Sequence, residues 1–235
     1  MKYHKRILAF IDILGFSEMV NNTIDKEDKE INDKTDIIYN FFEDAQKLLN
    51  RSYNNNKETD SRVVNHFSDS IVISYLETEE GGVFRCFTDV IFLLLTALHK
   101  KILLRGSIVC DWLFHENNKI FGPALVKAYN IEKNIAIYPR VVFNKELLDI
   151  ANMYPANWIN KSDRNTISNE LITKDFDGLY YFDYIKIINY FTSDNNSIYF
   201  NLLRKAIEYL DNSNDMKKYS KYLWLKEKYF ELFNK

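Results

Sequence analysis

The sequence predicts an α+β fold: an antiparallel sheet of ferredoxin-like type with helices on one face, followed by a helical C-terminal extension. Three observations carry this. Apolar runs of strand length, at Ile7 to Ile13, Ile71 to Leu76 and Ile102 to Val109, are separated by segments of helical period. The order along the first 150 residues reads strand, helix, hairpin, helix, strand, hairpin, helix, strand. The 235 residues are 46% hydrophobic and 15% aromatic, enough to fill one large core.

Taken in order, Ile7 to Ile13 reads as a buried strand, and Ser17 to Val20 opens a helical segment. Residues 21–36 are polar, with the charge cluster Asp25 to Glu30 read as a solvated face. Ile37, Ile38, Phe41, Phe42, Ala45, Leu48 and Leu49 recur at helical spacing, which makes Asp36 to Arg51 an amphipathic helix. Ser52 to Ser61 is a polar loop. Arg62 to Phe67 and Ile71 to Leu76 form a hairpin around Ser68-Asp69-Ser70. Val83 to Lys100 is a long apolar helix, and Ile102 to Val109 a strand containing Arg105-Gly106. Asn117-Asn118 turns a second hairpin, Trp112 to Phe114 against Ile120-Phe121. Ala124 to Asn134 is helical, a strand runs from Pro139 to Phe143, and Asn144 caps a helix through Ala151.

A domain boundary is expected near residue 150, leaving residues 151–235 as an extension with a short strand at Asp175 to Phe182 and two helices, Ser197 to Leu210 and Met216 to Phe233. Asp175-x-Asp177-Gly178 has the start of a calcium loop but lacks the later ligands and the closing glutamate.

Composition narrows the partners. Lys+Arg 31 against Asp+Glu 33 leaves a formal charge of -2, without the basic footprint of a nucleic-acid binder. The two cysteines, Cys86 and Cys110, form no metal or disulfide pattern, in keeping with a reducing cytoplasm. The apolar run after the basic N-terminus is short and broken by Asp12, a poor signal peptide. The longest apolar stretch, Val90 to Leu98, is too short to span a bilayer. A cytoplasmic protein with no membrane and no nucleic-acid partner is expected.

Chemistry concentrates in two stretches, Ala9-Phe10-Ile11-Asp12-Ile13-Leu14-Gly15-Phe16-Ser17 and Val63 to Ile73 around Asp69. A carboxylate inside a buried strand is costly unless paired or neutralised. Adjacent antiparallel strands presenting Asp12 and Asp69 to a divalent metal would explain both residues. Gly15 would then turn the backbone, and Phe16 and Ser17 would open a helix whose free N–H groups face an anion. Two carboxylates, a metal and a helix N-terminus make a triphosphate site. The plain alternative is a strand-end cap at Asp12 and a turn residue at Asp69.

Phe10-Ile11-Asp12-Ile13-Leu14-Gly15-Phe16-Ser17 resembles the first metal motif of class III nucleotide cyclases, and Phe67-Ser68-Asp69 resembles their second, about 57 residues later. Within that family the chain is similar to the diverged bacterial cyclases of the Pycsar anti-phage type, which make cyclic pyrimidine nucleotides. The resemblance covers roughly residues 5–150. It implies two divalent ions, Mn²⁺ or Mg²⁺, held by Asp12, Asp69 and the Ile13 carbonyl. It implies β- and γ-phosphates on the N–H groups of Gly15, Phe16 and Ser17. It also implies a homodimer whose half-sites come from different subunits.

The other half departs from the family pattern. The family's helical Asn and Arg align with Val126 and Asn130, and Val126 cannot donate. Lys127 or Arg140 would have to supply the charge, unless Lys127 is a solvated surface residue. The purine-reading pair aligns with Asn65 and Lys119, which argues against an ordinary adenylate or guanylate cyclase and suits UTP or CTP. Lys119 could instead lie on an exposed hairpin. The leading expectation is a cyclase making a 3′,5′-cyclic nucleotide in anti-phage defence, read by a downstream cyclic-nucleotide-binding effector. The alternatives are a non-catalytic nucleotide sensor on the same fold, and a palm-type phosphohydrolase or polymerase.

Overall fold

The computed structural model describes residues 2–51, 60–191, 196–211 and 216–231. The polar loop expected at Ser52 to Ser61 falls mostly outside the described residues, as do 232 and 233 at the end of the last predicted helix.

β1 (His4–Ile13) is an interior strand of the sheet. It pairs antiparallel with β3 (Ser70–Leu76) on one side and with β4 (Leu104–Glu116) on the other. β2 (Val63–Phe67) pairs with β3 at the edge. Between them run α1 (Phe16–Asn21), α2 (Asn32–Leu49) and α3 (Gly82–His99). The spatial order β2-β3-β1-β4 is that of a βαββαβ unit, which is the predicted ferredoxin-like core.

Strand alternation divides β1 between two cores. Ile7, Ala9, Ile11 and Ile13 join the large cluster with α2 and α3. Leu8 and Phe10 face the other way, with Val72, Val109 and Leu113. Both sets are buried, so the strand reads as a continuous apolar run. On that second face lies α4 (Pro123–Asn134), seated through Ala124 and Ala128. Helices therefore cover both faces, a correction to the single layer expected. Small residues at every fourth position let α4 approach the strands closely.

β4 is longer than the sequence suggests. It runs without a break from Leu104 to Glu116, then turns at Asn117 and Asn118, both at positive φ, into β5 (Lys119–Phe121). β6 (Val141–Phe143) pairs parallel to β4, so the sheet is mixed, and α5 (Lys145–Met153) follows.

The expected boundary near 150 does not interrupt the sheet. After α6 (Lys161–Glu170), β7 (Ile172–Lys174) and β8 (Tyr180–Phe182) continue it in the order β4-β6-β8-β7. α7 (Tyr184–Phe191), α8 (Asn196–Asp211) and α9 (Met216–Phe230) then close the chain. Ile187, Leu203 and Trp224 join the same core cluster as β1.

Among the described residues, α3 alone is long and apolar enough to cross a membrane by length and composition, and most of it is buried. Its polar residues are paired within the fold. Tyr75 Oη donates to Asp89 (2.6 Å), and Arg85 pairs with Glu79 beneath the Trp158 ring.

Candidate functional site

The site forms where β1 ends. Asp12 lies between Ser70 of β3 and Arg105 of β4 in the sheet register. One residue on, the Ile13 N–H donates to the Asp69 carbonyl (3.2 Å), which pins the β2–β3 turn against the strand end. The turn is tightened by Ser68 in the left-handed region, with His66 Nε2 2.7 Å from the Ser68 carbonyl. The His66 ring packs on Phe42 of α2, 4.2 Å between centroids. These local bonds set the Asp69 carboxyl beside Asp12, near enough for its negative charge to act on it.

Two residues that the motifs did not single out complete the cluster. Arg105 donates through Nε and Nη2 to Asp12 Oδ2, 3.3 Å each. Its Nη2 also lies 2.5 Å from Oε1 of Glu132, which comes from the last turns of α4. Arg105 is readable only through the register that sets it opposite Asp12. Glu132 falls four and eight residues after Ala128 and Ala124, on the buried stripe of α4.

Burial pushes the Asp12 carboxyl up to about 7, helped by the negative charges of Glu132 and Asp69 and opposed by Arg105. Burial also raises Glu132, against the pull of Arg105. Asp12 and Glu132 thus share one guanidinium in a partly closed site, with Asp69 beside Asp12. An all-oxygen set of this kind suits a hard divalent cation such as Mg²⁺ or Mn²⁺. Among the described residues, no three His, Cys, Asp or Glu side chains are already gathered in ligand geometry. The pair Asp12 and Asp69 therefore fits one ion, with Arg105 already seated on the third side.

Past Asp12, the Leu14 N–H bonds the Leu103 carbonyl (2.9 Å), and Gly15 adopts φ +81°. That left-handed conformation disfavours a Cβ and turns the chain into α1. The Gly15 carbonyl accepts from Glu18 and Met19, so the first turn closes at once behind Phe16 and Ser17. Asn65 lies on the face that carries Asp12, since it pairs with Val72 and Val72 with Phe10. Its Oδ1 is shielded from solvent and accepts no hydrogen bond from the described residues.

The remaining predicted residues lie elsewhere. Asn130 is exposed and Lys127 half-buried on α4, away from its sheet-facing stripe. Val126 is 61% exposed beside them. Lys119 is exposed on the β4–β5 hairpin opposite Glu116. Glu116 lies eleven positions along β4 from Arg105, roughly 35 Å along an extended strand. Lys119 and Asp12 of one chain are therefore at opposite ends of the sheet.

Arg140 is corrected outright. It is fully buried, ion-paired with Asp175 and Asp177, and ringed by Tyr138, Phe176, Tyr181 and Trp224. A guanidinium enclosed in this way is a structural anchor and does not reach a phosphate. The same pairs account for the calcium-like stretch, because Trp224 Nε1 donates to Asp175 Oδ2 (2.9 Å) and Lys228 lies 3.4 Å from Oδ1.

No protein-family model matches the chain, and comparison with curated proteins gives no match. Solved structures give low-identity likenesses. One is the monomeric guanylyl cyclase domain of the RhoGC fusion protein from the aquatic fungus Blastocladiella emersonii (10% identity, 77% of this chain, 95% of that chain, TM-score 0.48). Another is a bacterial light-regulated adenylyl cyclase (13% identity, 87% of this chain, 58% of that one, TM-score 0.46). A third is a class III adenylyl cyclase-like ATP-binding protein from Pseudomonas aeruginosa (11% identity, 88% of this chain, 59% of that one, TM-score 0.41). At these identities and scores the likeness assigns no activity to this chain.

Proposed function

We propose that the chain is a metal-dependent nucleotidyl cyclase. The 3′-hydroxyl of a ribonucleoside triphosphate attacks the α-phosphorus, the bond to the β-phosphate oxygen breaks, and a 3′,5′-cyclic nucleotide and pyrophosphate form. The observation that carries this reading is the juxtaposition of Asp12 and Asp69 at a strand end, directly before the Gly15 turn. In this reading Asp12, Asp69 and the Ile13 carbonyl hold the divalent ion. When bound, the ion would polarise the α-phosphate and offset its developing charge.

The chain's own groups do the rest. The N–H groups of Gly15, Phe16 and Ser17 take the outer phosphates. The Asn65 amide offers both an acceptor and donors to a base edge, which favours a pyrimidine over a purine in combination with Lys119. Lys119, Lys127 and Asn130 would come from a second copy of the chain, because in one copy Lys119 and Asp12 are at opposite ends of the sheet. A homodimer with composite sites follows, and the product would serve as a signal to an effector in anti-phage defence.

The test is incubation of the purified chain with each ribonucleoside triphosphate and Mn²⁺ or Mg²⁺, with product identification by mass spectrometry. Cyclic UMP or cyclic CMP is expected. Asp12→Asn and Asp69→Asn should each lose at least a hundredfold in rate. Mixing Asp69→Ala with Lys127→Ala protein should restore part of the activity. Cyclic AMP or cyclic GMP as main product would remove the base assignment, and full turnover by Asp12→Asn would remove the site.

One observation favours a second reading, a sensor that binds nucleotide without turning it over. Arg105 occupies Asp12, and an exposed Val126 stands where the family places a donor. Tight nucleotide binding with no product in the same assay is its signature.

A further inference from the structure

We propose that Arg105 takes the place of one of two metal ions, so that the site accepts a single divalent cation. This rests on the metal-dependent reading above and specifies its stoichiometry.

Arg105 is held by the strand register and by two carboxylates. It stands opposite Asp12 in the β1–β4 register, and Gly106 beside it is packed against β1. A Cβ built on Gly106 would lie 2.3 Å from the Phe10 carbonyl oxygen, so the two strands are as close as the backbone allows. Arg105 sends two N–H groups to one oxygen of Asp12 and reaches Glu132 with Nη2. Glu132 is 4% exposed, and its helix is pinned by the Ser107 hydroxyl donating to the Ala128 carbonyl (2.9 Å). The guanidinium is thus clamped between a strand carboxylate and a helix carboxylate, each fixed by backbone packing.

A second divalent ion would need Asp12 Oδ2 at about 2.1 Å. That oxygen faces a permanent cation 3.3 Å away. Arginine does not deprotonate, so it cannot yield by losing its charge. Moving it aside would leave Glu132 buried and unpaired, which is strongly unfavourable. The other side of the cluster, between Asp12 and Asp69, carries no guanidinium among the described residues and takes the one ion.

The experiment is titration of the full chain with Mn²⁺ alone, free ion being read by electron paramagnetic resonance. Wild type, Arg105→Lys, Arg105→Gln and Arg105→Gln/Glu132→Gln are compared, with folding of each checked by circular dichroism. The double variant removes both members of the clamp, so it tests the idea even if Arg105→Gln alone does not fold. Wild type and Arg105→Lys should bind one Mn²⁺ per chain, and the neutral variants two. Two ions in wild type, or one ion at unchanged affinity in the neutral variants, would overturn the inference and leave the cyclase reading standing. No Mn²⁺ in any protein would overturn both. The expected counts, with no cyclic product from any nucleotide, would uphold the inference while the cyclase reading fell.

Discussion

At His115 a buried side chain has its protonation state set by its neighbours. Ser74 Oγ accepts from Arg6 Nε (2.8 Å) and lies 2.7 Å from His115 Nδ1. Burial, then the positive charge of Arg6, push the imidazole down to about 4, so the folded protein keeps it neutral. The unfolded chain takes up that proton below about pH 6.5 while the folded one refuses it until about 4. The stability contributed by neutral His115 is therefore whole above pH 6.5 and lost as pH falls towards 4. Denaturant unfolding at pH 7 and pH 5 should differ by about 2 kcal/mol from this group alone. His115→Gln should remove that part of the slope, and an unchanged slope would refute the assignment. The sequence gives no sign of this network, because Arg6, Ser74 and His115 meet only across three strands. The candidate site shows the same division. Asp12 and Asp69 stand out as carboxylates in or beside apolar runs. Arg105 and Glu132 do not, since a cation in a strand and an acid in an amphipathic helix are ordinary until the register joins them. Arg140 misleads for the converse reason: its partners Asp175 and Asp177 lie 35 and 37 residues further on.

At the scale of elements, periodicity found most of what is there. β1, β3, α3 and α4 lie where the apolar pattern sets them, because each turns buried residues to a core, while β2 pairs at the sheet edge with no residue fully buried. α6, α7 and β7 escaped, being short or polar, and they exist because the sheet and helices around them supply partners. The β1–β4 contact is the element on which the site depends. Gly106→Ala places a Cβ against the Phe10 carbonyl and Ile11, which should cost about 3 kcal/mol by overpacking. Gly15→Ala meets no atom within 4 Å, and only its φ of +81° is strained, a cost of about 1–2 kcal/mol. Denaturant midpoints should fall further for Gly106→Ala than for Gly15→Ala. The reverse order would show that the two strands are not in the close register described.

At the scale of the molecule, the ferredoxin-like core was legible and the extent of the sheet was not. Residues 172–182 pair beyond β6, and Arg140 ties β6 to Asp175 and Asp177 while Trp224 of α9 closes over the pair. The Arg140 carbonyl also accepts the Gly106 N–H (3.2 Å), one residue from Arg105. The C-terminal region is thereby joined through a single strand to the site. Locating the ion decides whether that site is the metal centre. Crystals of the full chain grown with Mn²⁺ and a non-cyclisable 3′-deoxy pyrimidine triphosphate would be measured at the manganese edge. An anomalous peak is expected between the carboxylates of Asp12 and Asp69, with the triphosphate running towards Gly15. A peak elsewhere, or none while the nucleotide is bound, would contradict this assignment.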